Sequence, residues 1–217
     1  MESTKVKIVG VYLAAGSSKR MGTSKLSLEL AAGMRLGGIA LLQALRSDLD
    51  AIVIVTNEAN SLDWLPEEAH LHLQKGRCRI EVCEDAALGM ALSLRKGIHA
   101  AKALGAEAVL VMLADQPFVT TEMLAGLVDR YRREAGCDYM AYGDEGVPKP
   151  PVVLGSGMWA HAASLEGDAG ARSLFRLPEF RGRVIKESNK VRFMDVDTPE
   201  LYEEAKKQFA HFLCQFK

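Results

Sequence analysis

Charge of one sign is what this chain of 217 residues most lacks, since 27 Lys and Arg stand against 28 Asp and Glu for a formal net charge of −1. Without a basic excess no global field gathers a polyanion, and nucleic acid is not expected as a partner. Long apolar runs are missing too. The longest, such as Ala108 to Ala114, fall far short of the roughly 20 residues that span a bilayer, so no membrane partner is expected. The first seven residues, Met1 to Lys7, are polar and hold no apolar signal core. Together these absences set the expectation of a cytoplasmic protein. Cysteine is scarce: Cys78, Cys83, Cys137 and Cys214 form no CxxC pair and read as reduced, mostly buried thiols. Cys78 and Cys83, with nearby His70 and His72, lack the spacing of a zinc site. His99 and His161 have no evident partner and read as structural histidines. Ser17 and Ser18 have no His/Asp partner in sequence context, which argues against a hydrolase.

What is present is an alternation of strand-like and helix-like segments, which predicts an α/β fold with a largely parallel sheet. Val6 to Leu13, Ala51 to Thr56 and Ala108 to Leu113 are compact apolar runs of the kind that form buried strands, with a shorter one over Arg79 to Cys83. Helical segments are expected over Ile39 to Leu45 and along the face made by Leu88, Ala91, Leu92, Ile98 and Ala101. Another is expected from Thr120 or Thr121, as cap, to about Arg133. Short strands are expected at Asp138 to Tyr142 and Val152 to Leu154, around a Pro-rich turn at Val147 to Pro151. A last strand is expected at Val191 to Val196, and Pro199 opens a C-terminal helix. No repeat, low-complexity tract or long linker interrupts residues 1–217, so one domain is expected.

The first strand runs into Leu13-Ala-Ala-Gly16-Ser-Ser-Lys19-Arg20-Met21-Gly22-Thr-Ser-Lys25. Small residues after a buried strand let backbone N–H groups turn toward a polyphosphate, and Arg20 and Lys25 add positive charge. The loop is neither GxxxxGK[ST] nor GxGxxG, which sets aside the P-loop and dinucleotide signatures. Its place at the carboxyl end of a strand is where ligands gather in α/β sheets. Asp115 ends another buried run at that edge. Asp195 and Asp197 lie two apart, so on a strand their side chains would share one face. Carboxylates converging from two strand ends suit Mg²⁺ that also binds substrate phosphates. Either Asp195 or Asp197 can serve as the second ligand, and Asp197 can equally cap the helix after it. Asp168 reads either as a substrate or metal contact or as a helix cap.

The LAAGxSxRMGxxK pattern resembles the signature of the MobA-like nucleotidyltransferases, and most of all their molybdenum cofactor cytidylyltransferase branch with its PucB-type accessory proteins of purine catabolism. Four further segments carry the resemblance: Gly89-Met90 through Gly97, Leu113 to Pro117, the GDxGAR stretch Gly167 to Arg172, and Asp195 to Pro199. It spans about residues 6–201 and implies a three-layer, Rossmann-like nucleotidyltransferase fold. It implies a Mg²⁺-dependent enzyme that moves CMP from CTP to the phosphate of molybdopterin, releases pyrophosphate and matures an apo molybdenum hydroxylase. Lys25, Arg20 and Asp115 would be catalytic. Leu13, Ala14, Ala15, Gly16, Ser17, Met21, Gly22, Gly89 and Ser93 would line the nucleotide. Asp168 and Arg172 would take the acceptor, and Asp115 with Asp197 or Asp195 the metal. A Cβ at Gly89 would stand in the way of the base or ribose.

Ala15, where the guanylyl branch usually has a second Gly, favours CTP over GTP. The same resemblance leaves three alternatives: a guanylyltransferase, a sugar-1-phosphate nucleotidyltransferase, and a noncatalytic carrier of the cofactor. The chain departs from the family in lacking a Gly-x-Pro turn over Glu29 to Gly37. It departs again in carrying Cys83-Glu84-Asp85 where many relatives have an Asn.

Overall fold

The computed structural model describes residues 5–16, 21, 24–59, 61–167 and 171–214, and for 171, 172, 213 and 214 the backbone only. Nine strands are described: β1 (Ile8–Leu13), β2 (Glu29–Ala31), β3 (Met34–Arg35), β4 (Ala51–Thr56), β5 (Cys78–Val82), β6 (Ala108–Leu113), β7 (Tyr139–Asp144), β8 (Val147–Gly155) and β9 (Gly182–Lys186). Six α-helices accompany them: α1 (Leu36–Leu45), α2 (Glu67–Gln74), α3 (Met90–Ala103), α4 (Thr121–Arg133), α5 (Trp159–Ala163) and α6 (Pro199–Cys214). Seven strands form one sheet in the order β5-β4-β1-β6-β8-β7-β9, and β2 with β3 makes a separate hairpin. The β5-β4, β4-β1, β1-β6 and β7-β9 pairs are parallel, and only β8 runs against its neighbours.

Strand periodicity divides the core in two. On one face Ile8, Tyr12, Ile52, Ile54, Leu110 and Met112 pack under α1, α2 and α4. On the other Val9, Val11, Val53, Val55, Val109 and Val111 pack under α3 and α5. The central strands are buried on both faces, which is why their sequences read as unbroken apolar runs. The result is the expected three-layer, mostly parallel arrangement. Helix α3 sits especially close to the sheet, because a Cβ on Gly97 would lie 2.4 Å from Val11 Cγ1. Thr120 is the cap of α4, its hydroxyl accepting from Met123 N at 3.3 Å.

Three expectations are corrected. Val147 to Pro151 is not a turn but the first half of β8, and the chain reverses at Glu145-Gly146. Strand β6 pairs only with Val152 to Gly155, so the prolines fall where β8 has a single partner strand and a missing N–H is tolerated. Val191 to Val196 is not a strand. Lys190–Phe193 is a 3₁₀ turn begun by Asn189, whose side chain accepts from Val191 N, and the last strand is β9. The apolar residues of that segment instead meet Phe118 and α6, with Val196 and Phe193 buried. Leu88 lies in a 3₁₀ turn ahead of α3 and is exposed rather than on its buried face.

Candidate active site

Residue 25 opens a 3₁₀ turn, Lys25–Ser27, that leads into the β2-β3 hairpin. That hairpin stands where the family usually has a proline turn. Gly33, at φ 72°, supplies the left-handed backbone that so tight a reversal needs. The hairpin is held from the C-terminus, since the Tyr202 hydroxyl on α6 donates to Glu29 O at 2.6 Å. Lys25 is thereby turned inward and is only 7% exposed. Its ammonium donates to Asp115 Oδ2 at 2.6 Å and to Asp197 Oδ1 at 2.7 Å.

Each partner arrives for a local reason. Asp115 follows β6 just past Ala114, whose N–H donates to Leu13 O at 3.1 Å, so β1 and β6 end level. The backbone of Asp115 then accepts from Val196 N at 3.0 Å, which docks the 195–197 segment at this edge. Thr198, not Asp197, caps α6, its hydroxyl accepting from Leu201 N at 3.3 Å. Asp197 is therefore available to Lys25.

The segment is not a strand, which removes the strand basis for a shared face, and Asp195 and Asp197 make different hydrogen bonds. Asp195 Oδ1 accepts from Gln116 Nε2 at 2.8 Å, and Gln116 is buried. Gln116 is a site residue to which sequence reasoning gave no role, though it sits inside the quoted Leu113 to Pro117 motif. Burial, and then the negative charge of Asp115, raises the Asp195 carboxyl above its ordinary range. For Lys25 burial alone would lower the ammonium, but Asp115 and Asp197 outweigh it and the net shift is upward. Among the described residues one lysine here meets two carboxylates, and a third, Asp195, is held close by through Gln116.

On the other side of β1, the loop Leu13-Ala14-Ala15 is buried, and among the described residues beyond its chain neighbours nothing lies within 4 Å of where a Cβ on Gly16 would stand. Strands β1 and β4 run level, Leu13 beside Val55, so the loop lies beside the end of β4. There Asn57 Nδ2 donates to Ala15 O at 2.9 Å. This residue too was missed; the clue was a polar amide closing the β-branched run of β4. Met21 lies in a turn, half-buried.

Gly89 precedes α3 at φ 133°, and a Cβ there would lie 2.2 Å from Gly167 C and O. The close approach expected of a nucleotide is made here by the chain itself, and Ala91 N also donates to Gly167 O at 3.1 Å. The start of the GDxGAR stretch is thus seated on the start of α3. Ser93 is among the buried residues of α3. Ser17, Arg20, Gly22 and Asp168 lie outside the described residues, and Arg172 belongs to the 3₁₀ turn Ala171–Arg176, described by its backbone only. Gly89→Ala is expected to cost about 2 kcal/mol or more, from backbone strain plus the clash. Thermal or urea unfolding measures it, and a variant as stable as the parent would show that the two glycines need not touch.

A parallel sheet with a glycine loop after its first strand, and a lysine and acids at its carboxyl edge, has the layout of a nucleotidyltransferase. Residues 10–190 match the MobA-like NTP transferase domain, and the chain belongs to that family. It is 34% identical over 198 residues, 90% of its length and 94% of the relative's, to the purine catabolism protein PucB of Bacillus subtilis (strain 168). Among solved structures it resembles the Mycobacterium sp. strain JC1 homologue of Rv0371c with a TM-score of 0.77 and 28% identity, covering 94% of this chain and 98% of that one. Rv0371c from Mycobacterium tuberculosis H37Rv, solved in complex with manganese, shares the fold at TM-score 0.69 and 21% identity, over 93% and 99% of the two chains.

Proposed function

We propose that the protein transfers CMP from CTP to the phosphate of molybdopterin, releases pyrophosphate, and so supplies a molybdenum hydroxylase with its dinucleotide cofactor. The observation that carries this reading is the Lys25 ammonium shared by Asp115 and Asp197 at 2.6 and 2.7 Å, beside the Leu13–Gly16 loop. Cytidylyl transfer and the molybdopterin acceptor rest on the LAAG and GDxGAR resemblance and on likeness to a purine catabolism protein.

A divalent cation, Mg²⁺ in this reading, fits the donors. Asp115 and Asp197 converge on one positive charge, and carboxylate oxygens are the hard ligands Mg²⁺ prefers. Two carboxylates would hold such an ion together with substrate phosphates and water, the mixed shell that Mg²⁺ commonly keeps. When bound, the metal neutralises charge on the α-phosphate and leaving pyrophosphate.

The chain's own groups do the rest. An acceptor phosphate is already an anionic nucleophile, so attack on the α-phosphorus needs alignment rather than a strong base. Lys25 steadies the α-phosphate and the incoming oxygen. The loop from Leu13 through Gly22, with Arg20, holds the β- and γ-phosphates. Gly167, seated against the start of α3, sets where the acceptor motif begins, with Asp168 and Arg172 following for the acceptor.

The test is pyrophosphate release from CTP, GTP, ATP and UTP with Mg²⁺ and molybdopterin. Release with CTP alone is the expected result. Release with GTP would overturn the base assignment, and tight pterin binding without release from any NTP would make the protein a carrier.

A further inference from the structure

Asn57 stands at the carboxyl end of β4, two residues past Val55, which pairs with Leu13 of β1. That register puts it level with Ala15 in the nucleotide loop. Its Nδ2 donates to Ala15 O at 2.9 Å. A carbonyl can only accept, so this bond fixes the amide's orientation and leaves Oδ1 as the remaining acceptor. Among the described residues that Oδ1 is buried and has no hydrogen-bond partner. A buried amide oxygen without a donor is uncommon, and each calls for a physical reason.

The strand order supplies one. Strand β1 separates β4 from β6, so Asn57 and Asp115 end strands about 10 Å apart, two strand spacings. In the cytidylyl reading, a nucleotide with its phosphates against Lys25 and Asp115 would lay its base across the Leu13–Gly16 loop toward β4. Among the described residues beyond its chain neighbours, nothing lies within 4 Å of where a Cβ on Gly16 would stand. The group waiting there is a lone acceptor. Cytosine offers an N4 amine donor on its pairing edge, whereas uracil offers an O4 acceptor that would face Oδ1 oxygen to oxygen.

We propose that Asn57 Oδ1 accepts the exocyclic amine of the cytosine base and is the residue that separates CTP from UTP. The inference rests on the cytidylyl reading above. Its energetic logic is asymmetric: a site built to take a hydrogen bond rejects an analogue that leaves its buried polar group unpaired.

The experiment compares kcat/KM for CTP, UTP and the triphosphate of 2-pyrimidinone riboside, which is CTP without its amine. Wild type, Asn57→Ala and Asn57→Asp are each assayed with Mg²⁺ and molybdopterin. Wild type is expected to favour CTP over the amine-free analogue by about tenfold, and over UTP by more. Asn57→Ala is expected to bring the CTP-to-analogue ratio near one. Asn57→Asp, which keeps an acceptor but loses the donor to Ala15, is expected to retain a CTP preference. General damage to the loop lowers all three values together and leaves the ratios unchanged, so folding losses do not mimic the effect. Ratios in Asn57→Ala equal to wild type would overturn the assignment of Asn57 while leaving the cytidylyl reading intact. A wild type that does not use CTP would remove the reading itself.

Discussion

Lys25→Met is expected to transfer nucleotide about 10³-fold or more slowly than the parent, the scale seen when a preorganised charge is removed from a phosphoryl-transfer site. The same substitution is expected to strengthen binding of Mn²⁺ in the absence of nucleotide. The lysine is the counter-ion that Asp115 and Asp197 share, at 2.6 and 2.7 Å. Methionine fills similar space without charge and removes the ammonium that both carboxylates share. A divalent cation then meets less competition. Pyrophosphate release reads the first effect, and Mn²⁺ electron paramagnetic resonance titration the second. Thermal melts should show Lys25→Met weakened in chelator and restored by Mn²⁺, because a ligand bound only by the folded state stabilises it. Weaker Mn²⁺ binding in the variant would mean that lysine and metal do not share these carboxylates.

The second large effect separates two neighbouring acids. Asp197→Asn is expected to lower the rate by about 10²- to 10³-fold. Asp195→Asn is expected to stay within about tenfold of the parent, less than one charged contact is worth at a reacting centre. Asp197 faces Lys25, while Asp195 accepts from Gln116 and stands behind. An asparagine oxygen at 195 accepts the same bond from Gln116 Nε2. It also removes a charge that burial and Asp115 already disfavour. Equal losses in both variants would place the two acids in the same role. Comparing kcat at saturating Mg²⁺ with the Mg²⁺ concentration for half-activity distinguishes loss of a ligand from loss of support.

The parts legible from sequence were those set by short-range pattern. Ala51 to Thr56 and Ala108 to Leu113 match their strands to the residue, because a run buried on both faces has few other uses. Pro199 marks the start of α6 and Thr120 caps α4. Lys25 and Asp115 were chosen from motif and strand-end position, and they touch. What was misread depends on partners distant in sequence. Val191 to Val196 has the composition of a strand, but no free strand edge receives it and α6 does. That error carried over into the shared face assigned to Asp195 and Asp197. Gln116 and Asn57 gain their roles from residues 79 and 42 positions away, at distances no local window reaches. Gly89 was read as making room for a ligand, whereas the room is taken by Gly167.

Asp197 follows Lys25 by 172 residues. At about 5–20 residues per second of synthesis, the lysine exists for roughly ten to thirty seconds before its second carboxylate is made. The hairpin that follows Lys25 is anchored by Tyr202 on a helix made later still. A growing chain can therefore complete β1 and β6 and still lack the paired acids. The Lys25–Asp197 contact waits until every strand of the central sheet, β9 included, has been made.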